Sequence, residues 1–515
     1  MSQEVQQSEW AMFRRHWRQD GLASVVVFLV ALPLCMGIAI ASGVPPAAGL
    51  ITGIVGGLIV ALFAGAPLQV SGPAAGLSVI VWELVQTHGI AALGLIVMVA
   101  GAAQLLAGVL RLGQWFRAVS PAVIHGMLAG IGVLIFASQF HVMVDDAPRG
   151  SGIENLISIP QAIIKGLIPA DGSVHFQAAM IGLATLATII GWKWVPGKLK
   201  VIPGPLVAVI VGTAAAAISG FGIAKVSVPA NLLEAVQLPA WGSVPEMGWT
   251  LLTAGLALAF VASAETLLCA TAVDKMHNGP RTRYDKELRA QGIGNLACGF
   301  LGALPMTGVI VRSSANVDAG GKTRASAFMH GVWLLLFVAA LPFILEMIPV
   351  AALAAVLVFT GYKLVNVAAI RQLATYGKGE VAIYFATLIT IVSFDLLSGV
   401  VFGIVLSLVK LLYTFSRLEI ETKPRENSPC IDMYLRGSAT VVRLPRLASA
   451  LETMPANTEV HVHLEELDYI DHACLDLIAN WEKQHKMTGG KLYMDWDSLE
   501  ARFRDPERRR RIAAA

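Results

Sequence analysis

Apolar runs of about 20 residues, the length that crosses a bilayer as a helix, recur from about residue 21 to about residue 413. Their positions predict spans at 22–42, 47–63, 74–85, 91–110, 121–140, 178–194 and 205–218. A second set is expected at 250–273, 291–304, 308–315, 326–348, 351–365, 381–397 and 399–413, for about fourteen in all. Two segments, the one after Pro73 and the one after the Pro305-Met306-Thr307-Gly308 break, are too short to cross alone. They hold the third place in each set of seven, which is the pattern of inverted repeats whose broken helices meet near the membrane midplane.

Beyond residue 416 the pattern changes. Strand-like alternation at 431–442 and 459–464, a helix-like run at 475–486, a Gly489-Gly490 turn and a short strand at 491–495 predict a small α/β domain over 417–500. The basic end, 501–515, is expected to be disordered, solvated or close to anionic lipid. Residues 1–20 form a polar lead into the first span, and no small-residue cleavage site follows a short apolar core, so a retained first span is expected. The divisions are therefore 1–20, a transport domain over 21–416, the α/β domain and the tail.

Composition sharpens this picture. With 56% hydrophobic and only 14% charged residues among 515, the chain has too little polar surface for a soluble domain and reads as a polytopic α-helical membrane protein. Basic residues cluster in alternate loops: Arg14, Arg15 and Arg18; Arg111 and Arg117; Lys193, Lys198 and Lys200; the run from Lys275 to Arg289; Lys322 and Arg324; and Lys363, Arg371 and Lys378. The other loops are poor in them, with Asp145, Asp146, Glu234 and Glu246 prominent. By the positive-inside rule both termini are cytoplasmic, which fits an even number of spans in the inner (plasma) membrane. A net charge of +3, with the basic residues dispersed between apolar runs, points away from nucleic acid. Cys35, Cys269, Cys298, Cys430 and Cys474 show neither metal-ligand spacing nor a paired framework, so no metal and no cofactor is expected. No nucleophile, base and orienting group stand at compatible spacing, which argues against an enzyme.

Two ionisable residues in the apolar runs carry the candidate chemistry. An arginine at membrane depth costs on the order of 3 kcal/mol. Arg312, just past the Gly308 break, is therefore expected to serve an anion, its guanidinium adding charge beside the free N–H groups and positive dipole end of a short helix. Glu265 lies in the middle of the eighth span. The structural alternative is an ion pair between them. Gly72, Gly76 and Gly308 are expected to line a cavity, with plain helix packing as the alternative. Asn295 and Asn316 are expected to brace broken backbone, His125 to bond a neighbouring helix, and Asp274 and Lys275 to form a solvated terminus.

The segments ALPLCMGIAIASGVPPAAGL, SGPAAGL, SPAVIHGMLAG and GNLACGFLGALPMTGVIVRSSANVDAGGKT resemble the sulfate permease (SulP) family of anion transporters, whose members carry a C-terminal STAS domain. The resemblance implies seven plus seven inverted repeats of the uracil-transporter-like kind. A core domain, spans one to four and eight to eleven, would move against a gate of spans five to seven and twelve to fourteen. It places the anion between the half-helix tips, at Ala74, Ala75, Gly308 and Val309, with Gln69, Ser71 and Thr307 as candidate hydrogen-bonding neighbours and Arg312 adding charge. In sodium-dependent bicarbonate transporters of this kind an Asp, helped by Thr hydroxyls, holds sodium. The matching positions here are Glu265, Cys269 and Ile310, and since hard cations prefer oxygen, the coupling cation is Na⁺ or a proton carried by Glu265.

The implied function is secondary active transport of a small inorganic anion by an elevator-type mechanism, with bicarbonate uptake preferred. Sulfate or a dicarboxylate is the alternative substrate, and a passive anion channel or a membrane-anchored regulator the alternative class. In the tail His472 follows Asp471, where many STAS domains have a phosphorylated serine or threonine, so a structural, dimerising role is expected there. A homodimer in contact with membrane lipid is the implied assembly.

Overall fold

The computed structural model describes residues 9–114, 119–167, 173–196, 202–229, 232–239, 241–425 and 430–494. Arg117, Lys198, Lys200 and the basic end from 501 onward lie outside the described residues. The chain divides into two compact units, one up to Ile404 and one from Val405.

In the first unit the helices α1 (Glu9–Ala41), α2 (Pro46–Val55), α3 (Ser78–His88), α4 (Ile90–Val109), α5 (Pro121–Met143), α6 (Gly152–Leu167), α7 (Val174–Gly191) and α8 (Gly204–Ser219) come first. Then follow α9 (Val244–Asp274), α10 (Tyr284–Phe300), α11 (Ile310–Asp318), α12 (Ala325–Ala340), α13 (Val350–Leu364), α14 (Val367–Thr375), α15 (Lys378–Ser393) and α16 (Leu396–Phe415), the last crossing the division. Among the described residues, eight helices are long and apolar enough by themselves to cross a membrane.

The helices fall on the expected apolar segments, with instructive differences. Helix α1 starts well before residue 22, because no Gly or Pro interrupts the polar lead-in before Gly21. Helix α2 runs on through a widened π turn at Gly56–Val60, where a Cβ on Gly56 would stand 2.4 Å from the Ser71 carbonyl oxygen and one on Gly57 2.4 Å from the Gly331 Cα. The segment 326–348 is broken at Pro342 into α12 and a short turn, Pro342–Leu345. Helix α6 was not expected, since its apolar residues alternate with polar ones too closely for a span. Its Lys165 Nζ reaches Asp146 at 2.8 Å, beside Arg149 at 3.2 Å.

Helices α1 to α4 pack with α9 to α12, while α5, α7 and α8 pack with α13 and α15. Small residues permit this. Gly94 and Gly101 on α4 face Gly299 and Gly292 on α10, and a Cβ on Gly101 or Gly292 would each come within 2.5 Å of a backbone nitrogen of the other helix. In the second group Gly132 and Gly361 meet in the same way, each Cβ position lying 2.6 Å from the other's carbonyl oxygen.

The two short segments open differently from a plain broken helix. Ser71–Pro73 (β1) pairs antiparallel with Met306–Gly308 (β2), with Ser71 opposite Gly308 and Pro73 opposite Met306. A 3₁₀ turn at Ala75–Leu77 leads into α3, and β2 leads directly into α11. The half-helices thus start from one shared two-stranded crossing.

The second unit is a five-stranded sheet with two helices. Leu418–Pro424 (β3) pairs antiparallel with Cys430–Ala439 (β4), whose other edge takes Glu459–His463 (β5) and then Leu467–Ile470 (β6), both parallel. Lys491–Tyr493 (β7) closes the order beside β5. Helices α17 (Leu444–Glu452) and α18 (His472–Met487) bury Leu447, Leu451, Cys474 and Ile478 against Met433, Leu435 and Val460. Asp471 caps α18 by accepting the Cys474 N–H at 2.9 Å.

Candidate functional site

The crossing of β1 and β2 is braced from several sides. Asn295 on α10 accepts the Met306 N–H at 2.7 Å and donates to the Met306 carbonyl at 3.1 Å and to Gln104 at 2.7 Å. Asn316 donates to the Leu68 carbonyl at 3.0 Å. Glu287, fully buried, accepts the Gly65 and Ala66 N–H groups at 2.8 and 2.9 Å and the Gln291 amide at 2.9 Å. These bonds satisfy interrupted backbone at membrane depth, which is the condition for irregular chain there. Sequence reasoning missed Glu287, because it sits in a run of charged residues that reads as a loop, although α10 already starts at Tyr284.

Both half-helix tips converge on a cavity of about 660 Å³ lined by Ala75, Gly76, Glu265, Cys269, Gly308 and Val309, among others. Its wall is mostly apolar, with His125 and Lys275 also on it. Lys275, expected as part of a solvated terminus, is exposed and belongs to the cavity, whereas its neighbour Asp274 accepts the Thr282 N–H at 3.1 Å and hydroxyl at 2.9 Å and closes a loop. His125 faces the cavity instead of a neighbouring helix alone.

At the second tip the Gly308 N–H donates to the Thr266 hydroxyl at 3.2 Å and the Val309 N–H to the Val70 carbonyl at 2.9 Å. The first N–H of the helical series, that of Ser313, reaches the Val309 carbonyl at 2.9 Å. The N–H groups of Ile310, Val311 and Arg312 therefore precede the intrahelical bonds, and it is these that an α-helix leaves for an external acceptor. Ile310 and Val311 line the cavity. At the first tip the Leu77 N–H turns back to the Ala74 carbonyl at 3.2 Å, and the Glu265 carboxyl group lies against Gly76. A Cβ on Gly76 would stand 2.8 Å from both carboxylate oxygens, so a side chain here would displace the Glu265 carboxyl group from its present position. One of those oxygens, Oε2, has no hydrogen-bond partner.

The remaining expected site residues lie off the cavity wall. Ala74 is buried in the turn. Gln69 lies beneath Gly308, its Nε2 3.4 Å from Glu287 Oε1, and its Oε1 has no hydrogen-bond partner. Thr307 is buried in β2. Ser71 accepts the Gln291 amide at 2.6 Å. Arg312 is fully buried and points toward α1 and α2, against Gly72, Gly53 and the Cys35 thiol, so that a Cβ on Gly72 would lie 2.1 Å from Nη1. None of its three side-chain nitrogens has a hydrogen-bond partner. The ion pair with Glu265 does not form, because the two side chains leave the crossing in different directions. The site thus holds an uncompensated guanidinium behind the strand crossing and a carboxylate on the first helix tip.

One arrangement imitates a hydrolase. Ser158 Oγ lies 3.0 Å from His141 Nε2, and His141 Nδ1 3.3 Å from Asp146. The hydroxyl, however, donates to the Glu154 carbonyl at 2.7 Å, and Nε2 also faces the Asn155 carbonyl at 3.1 Å. The serine hydroxyl is thus already committed to the backbone of its own helix and not offered as a nucleophile.

Residues 17–387 match the sulfate permease family. Over 504 residues the chain is 27% identical to the "Putative sulfate transporter YvdB" of Bacillus subtilis, covering 92% of this chain and 91% of that protein. It is 26% identical over 425 residues to the "Bicarbonate transporter BicA" of Picosynechococcus, covering 79% and 72% respectively. In fold it is similar to the murine Slc26a9 anion transporter in the inward-facing state, with a TM-score of 0.72 at 14% identity over 96% of this chain and 89% of that one.

Proposed function

Because the chain belongs to the sulfate permease family, a family of anion transporters and not of enzymes, we propose that it takes up bicarbonate by secondary active transport. The observation that carries this reading is the convergence of two half-helix tips on one cavity, with the unpartnered Arg312 guanidinium behind them. Two dipole ends and a fixed cation favour a small anion over any neutral or cationic solute. Backbone N–H groups at the Ala75 and Ile310 tips do the binding, and the expected contacts at Gln69 and Thr307 act through the loop backbone.

Charge supports a monoanion. Glu265 stands against Gly76, so in its ionised form it neutralises that tip and the positive features left are the α11 tip and Arg312. A singly charged oxyanion matches that balance, and the bicarbonate transporter among the relatives agrees with it. Sulfate is the second reading: once Glu265 is neutralised by a proton, both tips are open and a dianion is accommodated, as the naming of the full-length Bacillus relative suggests.

Glu265 is the coupling group in either case. Cys269 offers sulfur, 3.8 Å from the Ser313 hydroxyl, and Ile310 offers no donor, so the surroundings of the carboxylate are poor in oxygen for Na⁺ and suit a proton better. The cavity reaches Lys275 and Met276 at the α9 end, which the loop charges assign to the cytoplasm, in keeping with an inward-open state of an elevator cycle. We assign both termini to the cytoplasm and the protein to the inner membrane. The second unit reads as a STAS domain supporting a homodimer.

Uptake of labelled bicarbonate and sulfate into proteoliposomes, under separate proton and sodium gradients, tests substrate and coupling together. Bicarbonate accumulation driven by the proton gradient is expected. Sulfate flux without bicarbonate flux ends the first choice, and equilibration without accumulation under any gradient identifies a channel.

A further inference from the structure

The sheet of the second unit brings together three side chains that cysteine spacing could not reveal. Cys430 opens β4 and Glu459 opens β5, and the two are direct partners in the parallel register. His461 lies two residues further along β5, hence on the same face. The Cys430 Sγ stands 3.5 Å from Glu459 Oε2, and with a ring nitrogen of His461 the three donor atoms all lie within 4.8 Å of one another. Ligands at bond lengths of about 2.0–2.3 Å in a tetrahedral zinc site are roughly 3.3–3.8 Å apart. Thiol and carboxylate already hold that separation, and a ring nitrogen of His461 lies within 4.8 Å of both.

The neighbours orient these donors. Lys491 Nζ takes Glu459 Oε1 at 3.2 Å, which turns Oε2 toward the thiol. Tyr493 stacks on the His461 ring with centroids 4.7 Å apart and planes at 17°. Such outer contacts are what fix ligand direction in metal sites. Asp432, the next residue of this face on β4, is engaged by His463 Nε2 at 3.0 Å and Arg425 at 3.1 Å, leaving the fourth position to water.

We propose that Cys430, Glu459 and His461 form a site for a borderline-soft divalent cation of the Zn²⁺ class on the second unit. One thiolate, one imidazole and one carboxylate select such an ion over the oxygen-seeking Ca²⁺ and Mg²⁺. On binding, the thiol proton leaves to solvent, so thiolate and carboxylate together balance the charge of the ion and affinity rises with pH. The ion ties β4 to β5 at the ends where both strands begin.

The test is titration of the tag-free, full-length protein in detergent with Co²⁺ alone, followed by Zn²⁺. The expected result is a near-ultraviolet thiolate-to-cobalt charge-transfer band, bleached by Zn²⁺, absent from Cys430→Ser and requiring at least about tenfold more Co²⁺ in His461→Ala. A wild-type protein without the band, or a band that survives in Cys430→Ser, overturns the assignment. Should the serine variant fail to fold, Glu459→Gln, which keeps the thiol, decides: weakening of about tenfold supports the site, and unchanged affinity overturns it.

Discussion

The two half-helices occupy the same place in the two halves of the transport unit and start from paired strands, yet their tips are finished with opposite charges. The first tip, at Ala75 and Gly76, has the Glu265 carboxyl group against it. The second, at Ile310 and Val311, has no acid on it and has Arg312 buried behind, without an ion-pair partner among the described residues. Both tips are positive through their dipoles. The difference means that one tip faces an acid of the chain itself and the other is backed by a cation, so a solute that spans both must share the first tip with Glu265. In the proposed cycle, coupling follows from this asymmetry.

Removing the reinforcing charge is the hardest blow to this comparison. Arg312→Gln is expected to weaken anion binding by about ten- to a hundredfold, measured by calorimetry on the purified protein, an effect of about 1.4–2.8 kcal/mol. Folding should not suffer, because a fully buried guanidinium with no partner is itself a burden, so melting at an unchanged or higher temperature is expected. Arg312→Lys, which keeps the charge, should fall between the two.

Removing the blocking charge acts on coupling more than on binding. Glu265→Gln is expected to bind anion within a fewfold of the parent while uptake no longer follows the proton gradient; retained gradient dependence would make Glu265 structural. Gly76→Ala attacks the same contact sterically, since the new Cβ meets both carboxylate oxygens at 2.8 Å. It should reproduce part of the Glu265→Gln phenotype, with an affinity change of about threefold to tenfold, about 0.7–1.4 kcal/mol. The mildest change alters the oxygen-poor surroundings of Glu265. Cys269→Thr combined with Ile310→Thr supplies oxygen donors near Glu265 and should introduce a modest stimulation of uptake by Na⁺, absent from the parent.

Much of this was legible in the sequence. Pro73 and the Pro305 to Gly308 run interrupt apolar segments at matching places, and that punctuation alone located both half-helices. The crossing strands were not legible, because three residues of Gly, Pro and Ser show no alternation and their pairing joins segments far apart in the chain. Nor was the direction of Arg312, since which way a residue leaves the first turn of a helix depends on where its neighbours pack. Glu287 was hidden by charged neighbours, and the use of the Gly308 and Val309 N–H groups by Thr266 and Val70 moved the open donors one residue onward to Ile310. In the second unit, alternation located the strands, whereas the meeting of Cys430 with Glu459 followed only from their register.

A density map of the full-length protein in lipid nanodiscs, at saturating bicarbonate and, separately, sulfate, decides whether the anion sits at the two tips. Anion density is expected within hydrogen-bonding reach of the Ala75–Gly76 tip and of the Ile310 and Val311 N–H groups, with Arg312 behind the strands and not in contact. Density bound elsewhere in the unit, with both tips left empty, would contradict it.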